Sequence, residues 1–278
     1  MTGLVEIGPH RLRVCTTGDF RAQRPLLLVN GIGATMDLFE PLRAELGARP
    51  TIAFDAPGVG GSSTPLLPLP MSSLADLVAR LLDHLEVGEV DVLGLSWGGA
   101  LAQGLAHRHP GRVGSVVLAA TMHGFTAVPG DPLALAVLAT PWRYYSTRYL
   151  EAVAPVLYGP DVREHGDLFR RHAYLRSTKR PSALGYLWQL AAVATWTSLP
   201  WLGRLAQPTL VLAGDRDPVV PLVNARTMAR LIPRGRLHVV EGGGHLFLYL
   251  QAADCAAVID PFLGEAAAHP FAGISAGA

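Results

Sequence analysis

The sequence predicts an α/β fold, a mostly parallel, doubly wound sheet carrying an inserted helical cap. Short apolar, β-branched runs alternate with amphipathic helical patterns along most of the chain, and one long stretch between Ala120 and Thr209 breaks that rhythm. Composition leaves room for both parts, since 278 residues, half of them apolar and 16% charged, suffice for one large core or a core plus a cap.

The strand candidates are Leu26 to Val29, Thr51 to Phe54, Val90 to Leu93, Val113 to Ala119, Thr209 to Ala213 and Arg236 to Val240. Each is a short apolar run of the kind that a sheet covered on both faces requires. Between them, Ser72 to Leu85 places Leu74, Leu77, Val78, Leu81, Leu82 and Leu85 at spacings of three and four, with Ser72 or Ser73 available as cap. Further helices are expected over Trp97 to His109, stopped by Pro110-Gly111; over Leu222 to Ile232, stopped by Pro233; and over Tyr249 to Leu263. A parallel sheet of this kind places function at the carboxyl ends of its strands.

The stretch after Ala120 contains no obvious strand and concentrates aromatic residues from Trp142 to Trp201 among prolines and helically spaced Leu and Ala. It reads as a helical cap, which divides the chain into a core (1–121 and 205–265), a cap (122–204) and a flexible Ala/Gly-rich tail (266–278). Its aromatics as a group predict an apolar site.

Several function classes are excluded. A net charge of +1 without a basic stripe makes nucleic acid an unexpected partner. Two cysteines, Cys15 and Cys255, form neither a disulfide framework nor a metal-ligand spacing, and read as free buried thiols. Glu6, His10, Arg11, Arg13 and Asp19 interrupt the first twenty residues where a signal peptide needs an apolar run, and the longest apolar run, Pro132 to Pro141, is far short of the roughly 20 residues that span a bilayer. No transmembrane segment and a cytoplasmic location are expected.

The chemistry begins at Gly94-Leu95-Ser96-Trp97-Gly98-Gly99, which follows a strand and opens a helix. In G-x-S-x-G the serine occupies a strained turn that lifts its hydroxyl above the sheet, and the flanking glycines let the backbone pass closely. A serine at its ordinary pKa is a weak nucleophile, so a histidine must take its proton and a carboxylate must orient that histidine. His245 is the base of choice because it alone of ten histidines lies in a glycine-rich loop directly after a late strand. For the acid, the loop Gly214 to Pro221 offers Asp217 and, nearer the strand end, Asp215; Asp217 is preferred. The oxyanion donors are expected to be the Trp97 N–H, at the positive end of a helix, and the Ile32 N–H, in the turn Asn30-Gly31-Ile32-Gly33-Ala34. Asn30 and Gly31 in that turn, His123 at the sheet edge, and Trp188 and Trp196 in the cap are the substrate-binding candidates. That turn lacks the lysine of a phosphate-binding loop and the third glycine of a dinucleotide fingerprint, and Pro57 to Ser63, though phosphate-friendly in composition, follows the strand Thr51 to Phe54 as a connecting loop, so no nucleotide cofactor is expected.

Taken together, Asn30 to Ala34, Phe54 to Pro65, Gly94 to Gln103, Tyr186 to Leu190, Trp196 to Ser198 and Gly244 to Leu248 are similar to the intracellular medium-chain-length poly(3-hydroxyalkanoate) depolymerases of the α/β-hydrolase fold. The resemblance covers residues 10 to 263 and rests most specifically on Trp97 after the serine and on Asn30 where most relatives carry His-Gly. It implies a serine hydrolase that cleaves polyester of 3-hydroxy acids, at the granule surface, without metal or organic cofactor. The family's nucleophile, acid and base fall on Ser96, Asp217 and His245. Two departures stand out: Leu95 replaces a common valine, and Gly242-Gly243-Gly244 replaces a shorter Asp-Gly turn, which should loosen the histidine loop. A small-ester esterase, a lactonase or a carbon–carbon bond hydrolase of the same fold stays open as an alternative, as does a non-catalytic granule-binding protein.

Overall fold

The structure, a computed structural model, describes residues 1–268. Eight strands form one sheet: β1 (Thr2–Ile7), β2 (His10–Thr17), β3 (Leu26–Val29), β4 (Thr51–Phe54), β5 (Val90–Leu95), β6 (Val113–Ala119), β7 (Thr209–Gly214) and β8 (Gly235–Val240). Their order is β1-β2-β4-β3-β5-β6-β7-β8. β1 pairs with β2, and β2 with β4, antiparallel; every other pairing is parallel, as the alternation of strand and helix requires.

The two antiparallel strands at one end of the sheet are absent from the sequence expectation. Most of β1 is exposed and β2 buries only Leu12, Val14 and Cys15, so their Arg, Glu and His residues broke the apolar run by which the other strands are recognised.

Alternate strand residues serve two cores. Leu27, Val29, Ile52, Phe54, Val90, Val92, Val116, Leu118, Val211 and Ala213 face α2 (Met71–His84), α3 (Trp97–Arg108) and α10 (Leu222–Leu231). Leu26, Leu28, Ala53, Leu93, Val117, Ala119, Leu210 and Leu212 face α1 (Glu40–Glu45), α11 (Phe247–Leu250) and α12 (Ala252–Ala268). A strand buried on both sides is apolar at nearly every position, and two buried exceptions, Asp91 of β5 and Ser115 of β6, satisfy each other, Ser115 Oγ donating to Asp91 Oδ1 at 2.6 Å.

Three boundaries differ from expectation. Pro70 precedes α2 in extended conformation and neither Ser72 nor Ser73 caps it. The single helix expected from Tyr249 is two, because Gln251 leaves helical geometry between α11 and α12. α12 runs through Ala268, so residues 266–268 of the expected tail are helical, and the rest of that tail, 269–278, lies outside the described residues.

Between β6 and β7 the chain forms α4 (Pro132–Leu138), α5 (Trp142–Tyr145), α6 (Thr147–Tyr158), α7 (Asp161–Glu164), α8 (Gly166–Thr178) and α9 (Ala183–Ala194). An isolated antiparallel bridge between Gly124 and Thr197 ties the two ends of this insert together. Leu150, Ala154, Leu157, Tyr158, Phe169 and Ala173 give it a core of its own, which continues into Leu38, Val219, Leu246 and Tyr249 of the sheet domain. The insert therefore sits over the carboxyl ends of the strands. Among the described residues, no helix is long and apolar enough to cross a membrane.

Candidate active site

Ser96 joins β5 to α3 at φ 53°, a left-handed conformation that costs a non-glycine residue energy and turns its side chain up from the sheet. The turn is held below by the Ser96 N–H, which donates to Ala119 O at 2.9 Å, and by Thr121 Oγ1, which donates to Ser96 O at 2.7 Å. A Cβ at Gly98 would come within 2.1 Å of Val29 O, so the second glycine of the motif is fixed by the close passage of β3.

His245 Nε2 lies 3.1 Å from Ser96 Oγ, and Nδ1 lies 2.8 Å from Asp217 Oδ2. The other oxygen of Asp217 accepts from the Val219 and Val220 N–H groups at 2.8 and 2.9 Å, so both carboxylate oxygens are engaged and the side chain is oriented from two directions. Asp215 is exposed and does not meet the histidine. The structure thus brings Ser96, His245 and Asp217 into one hydrogen-bonded chain. With Nδ1–H donated to the carboxylate, Nε2 is left to accept a proton from the serine.

The glycines before His245 do not loosen its loop. Gly243 N–H donates to Val240 O, Arg216 N–H to Gly243 O, Gly244 N–H to Asp161 Oδ2, and His245 N–H to Tyr158 O. A Cβ at Gly244 would meet Tyr158 O at 1.9 Å, so glycine is there because the insert packs directly on the loop. Asp161 is wholly buried, its Oδ1 has no partner, and burial pushes its carboxyl above the ordinary carboxylate range.

The turn after β3 lies beside the nucleophile: a Cβ on Gly31 would sit 3.5 Å from Ser96 Cβ. Asn30 clamps this turn rather than facing a substrate, its Oδ1 accepting from the Gly31 N–H and its Nδ2 donating to Thr35 O. The Ala34 N–H donates to Gly31 O, the Gly33 N–H to Gln189 Oε1 and the Met36 N–H to Asp55 Oδ1. The Ile32 N–H makes none of these bonds. Ile32 and Trp97 line the same pocket as Ser96, and the Trp97 N–H stands at the start of α3.

Ser96 opens into an apolar pocket, partly open to solvent, whose walls include Ile32, Met122, Leu135, Leu138, Leu190 and Val193. Trp196 also lines it. Trp188 does not: its Nε1 donates to Pro65 O, and it lines a separate crevice with Pro57, Leu69 and Leu74. Helical geometry accounts for this, because at about 100° per residue Trp188 points roughly 160° away from Leu190 around α9. His123 is buried outside the lining, its Nδ1 paired with Thr126 Oγ1 and its carbonyl with Thr197 and Ser198, while its neighbours Met122 and Gly124 face the cavity. Burial lowers its pKa.

Tyr144, Gln189 and Asp161, which touch the site loops from the insert, are absent from the sequence expectation. Nothing in their spacing marks them, since their partners are backbone groups of distant loops. Among the described residues, no group of three or more His, Cys, Asp or Glu is placed to hold a metal ion.

With the geometry established, known proteins supply comparison. Residues 24–252 match the sequence profile of the alpha/beta hydrolase fold family. The chain is 46% identical over 271 residues to a poly(3-hydroxyalkanoate) depolymerase of Ectopseudomonas oleovorans, covering 96% of this chain and 95% of that protein. It is 28% identical over 225 residues to 3-oxoadipate enol-lactonase 2 of Acinetobacter baylyi, covering 80% of this chain and 82% of that one. Among solved structures it superposes on a thermophilic esterase from Thermogutta terrifontis with a TM-score of 0.79 at 25% identity, over 96% of this chain and 99% of that one.

Proposed function

The chain belongs to the alpha/beta hydrolase fold family, and from that premise we propose that it is a serine ester hydrolase whose substrate is medium-chain-length poly(3-hydroxyalkanoate). The observation that carries the reading is the chain Asp217–His245–Ser96 opening onto a cavity with almost no polar wall. An apolar wall accepts alkyl side chains, and the kinship with the depolymerase supports a polyester as the source of the ester.

In the proposed mechanism, Ser96 Oγ attacks the ester carbonyl carbon while His245 Nε2 takes the serine proton. The carbonyl oxygen becomes an oxyanion held by the Ile32 and Trp97 N–H groups, each such donor being worth about 10²- to 10³-fold in rate. The carbon–oxygen bond then breaks, His245 returns its proton to the departing hydroxyl end of the chain, and an acyl group remains on Ser96. Water attacks this ester with His245 again as base, which releases the carboxylic acid and regenerates the serine. Asp217 keeps the imidazole in the tautomer that presents a bare Nε2 and stabilises the imidazolium as it forms. The insert over the strand ends acts as the cap that excludes bulk water from the acyl-enzyme. A cytoplasmic enzyme working at the surface of polyester granules follows from the same reading.

The test is the clearing of an emulsion of amorphous medium-chain polyester by the purified protein, with short-chain polyester, p-nitrophenyl octanoate and Ser96→Ala in parallel. Clearing and octanoate cleavage, both lost in Ser96→Ala, are expected. Octanoate cleavage without clearing of either polymer would move the assignment to a small-ester hydrolase or lactonase. Granule binding unaffected by Ser96→Ala, with no turnover by the unaltered protein, would mean a non-catalytic granule protein.

A further inference from the structure

We propose that Tyr144 and Gln189, both in the insert, are positioning residues for the oxyanion hole, so that the hole is intact only while the insert is seated on the sheet. The inference rests on the serine-hydrolase reading and deepens it.

The peptide group that follows Ile32 is gripped at both ends. Tyr144 Oη donates to Ile32 O at 2.5 Å, and Gln189 Oε1 accepts from the Gly33 N–H at 2.7 Å. The proton placement at Tyr144 is not free: Arg176 Nη1 donates to Tyr144 Oη at 2.5 Å, which leaves the phenolic hydrogen for the Ile32 carbonyl. The turn packs directly against these groups. Gly33 is at φ +67°, and a Cβ there would approach the Tyr144 and Tyr186 rings to 2.8–2.9 Å. Holding the peptide between Ile32 and Gly33 fixes the direction of the Ile32 N–H one peptide earlier, because Gly31 O is itself bound by the Ala34 N–H. Gln189 reaches the second donor residue as well, its backbone carbonyl accepting from Trp97 Nε1 at 3.0 Å. One residue of α9 therefore touches both sides of the hole.

The expense of this arrangement argues that orientation is its use. Arg143 and Arg176 are buried, and among the described residues no carboxylate lies within ion-pair distance of either. Their guanidinium groups lie over the Tyr144, Tyr158 and Tyr186 rings, and Arg143 Nη1 donates to Tyr186 Oη, which donates to Leu138 O. Desolvating a cation without a counter-charge is costly, and apolar side chains would join insert to sheet without that cost. Apolar side chains would not orient a phenolic proton.

The test compares Tyr144→Phe, Gln189→Met and Gln189→Glu with the unaltered protein. Tyr144→Phe removes the donor to Ile32 O and, with it, the acceptor of Arg176 Nη1; Gln189→Met removes the acceptor of the Gly33 N–H without touching Arg176, and Gln189→Glu retains that acceptor. Each is measured for kcat and KM on p-nitrophenyl octanoate, for its inactivation rate by a p-nitrophenyl alkylphosphonate, whose phosphoryl oxygen needs the same hole, and for Tm. The expected result is a fall in kcat of about 10- to 100-fold with KM within about threefold, the scale of a misplaced reacting group. Phosphonylation should slow in parallel, and Gln189→Glu should recover most of the loss seen in Gln189→Met. Unchanged kcat and phosphonylation in Tyr144→Phe and Gln189→Met, or a loss confined to KM or Tm, would overturn the inference alone. An unaltered protein inert to both ester and phosphonate would overturn the serine-hydrolase reading and this inference with it.

Discussion

The loops at the strand ends and the insert above them solve opposite problems. The loops carry Ser96, Asp217 and His245 and are held close to the sheet: the Ser96 N–H donates to Ala119 O of β6, and the Asp217 carboxylate is bound by the Val219 and Val220 N–H groups of its own loop. The insert contributes no member of that hydrogen-bonded chain, yet Tyr158 and Asp161 bind the histidine loop while Tyr144 and Gln189 bind the turn after β3. Reactive atoms are thus placed on the rigid layer, and the second layer limits where the loops can go. The difference predicts that damage to the two regions will differ in size and in kind.

The largest effects should come from the strand-end loops. Ser96→Ala and His245→Ala should each lower kcat for ester hydrolysis by about 10⁴- to 10⁶-fold, and the double variant should be little worse than either, since groups that act as a unit are not additive. Asp217→Asn should cost about 10³- to 10⁴-fold, because an amide can donate to Nδ1 and so invites the wrong tautomer. Steady-state kinetics on p-nitrophenyl octanoate measures all four. An insert residue whose removal cost as much as Ser96 would erase the distinction between the regions.

A middle-sized effect should appear where they touch. Gly244→Ala places a methyl group 1.9 Å from Tyr158 O, so either the insert or the histidine loop must move. We expect a loss of roughly 1–3 kcal/mol in stability, the scale of overpacking, together with a lower kcat as His245 is displaced. Chemical denaturation separates the two. Gly242→Ala, at φ +67° but with open space around its Cβ, should cost only its backbone strain and leave kcat near that of the unaltered protein.

Smaller again is the effect of the insert on substrate choice. Leu190 and Val193 of α9 line the cavity, so Val193→Phe should lower kcat/KM for octanoate relative to butyrate esters by about tenfold, in line with the 1–3 kcal/mol that a methylene-sized misfit costs. Trp188→Ala, on the far side of α9, should leave that ratio within twofold. A change of ratio in Trp188→Ala and none in Val193→Phe would mean that the acyl chain lies in the crevice by Pro57 and Leu69 instead.

The same division explains what could be read in the sequence. A parallel strand covered on both faces is apolar at nearly every position, so Leu26 to Val29, Thr51 to Phe54 and Val113 to Ala119 were legible to the residue. β1 and β2 were not, because an edge hairpin with a wet face tolerates Glu6, Arg11 and Arg13. Gly94-x-Ser96-x-Gly98 was legible because β3 passes close to Gly98 and the first turn of α3 passes close to Gly94, and Asp217 and His245 because they follow strand ends in chain order. Tyr144, Asp161 and Gln189 were not legible as site residues because the group each holds at the site is a backbone atom, which any sequence offers. Trp188 and Trp196 show the converse limit: residue type suggested a pocket wall for both, but the phase of α9 turns Trp188 away from it, while Trp196, beyond the end of α9, lines it.

The smallest effect concerns pH, and the two contacts it probes have opposite signs. Burial raises the Asp161 carboxyl, so the folded state holds its proton at a pH where the unfolded chain has lost it. Stability from this group is therefore present in acid and declines as pH rises from the ordinary carboxylate value through the raised one. Asp37 is the reverse. Burial pushes it up too, but hydrogen bonds from Arg13 and from Lys179 of the chain between α8 and α9 outweigh that and hold it down to about 2. Its stabilisation is present above the ordinary carboxylate value and is lost as pH falls toward about 2. Asp161→Asn should accordingly gain Tm relative to the unaltered protein as pH is raised from 4 to 8. Asp37→Asn should have a lower Tm than the unaltered protein at neutral pH, with the gap closing in acid. Thermal melts at matched ionic strength measure both, and two difference curves of the same slope would show that the insert is not joined to the sheet through one carboxyl held above the ordinary range and another held below it.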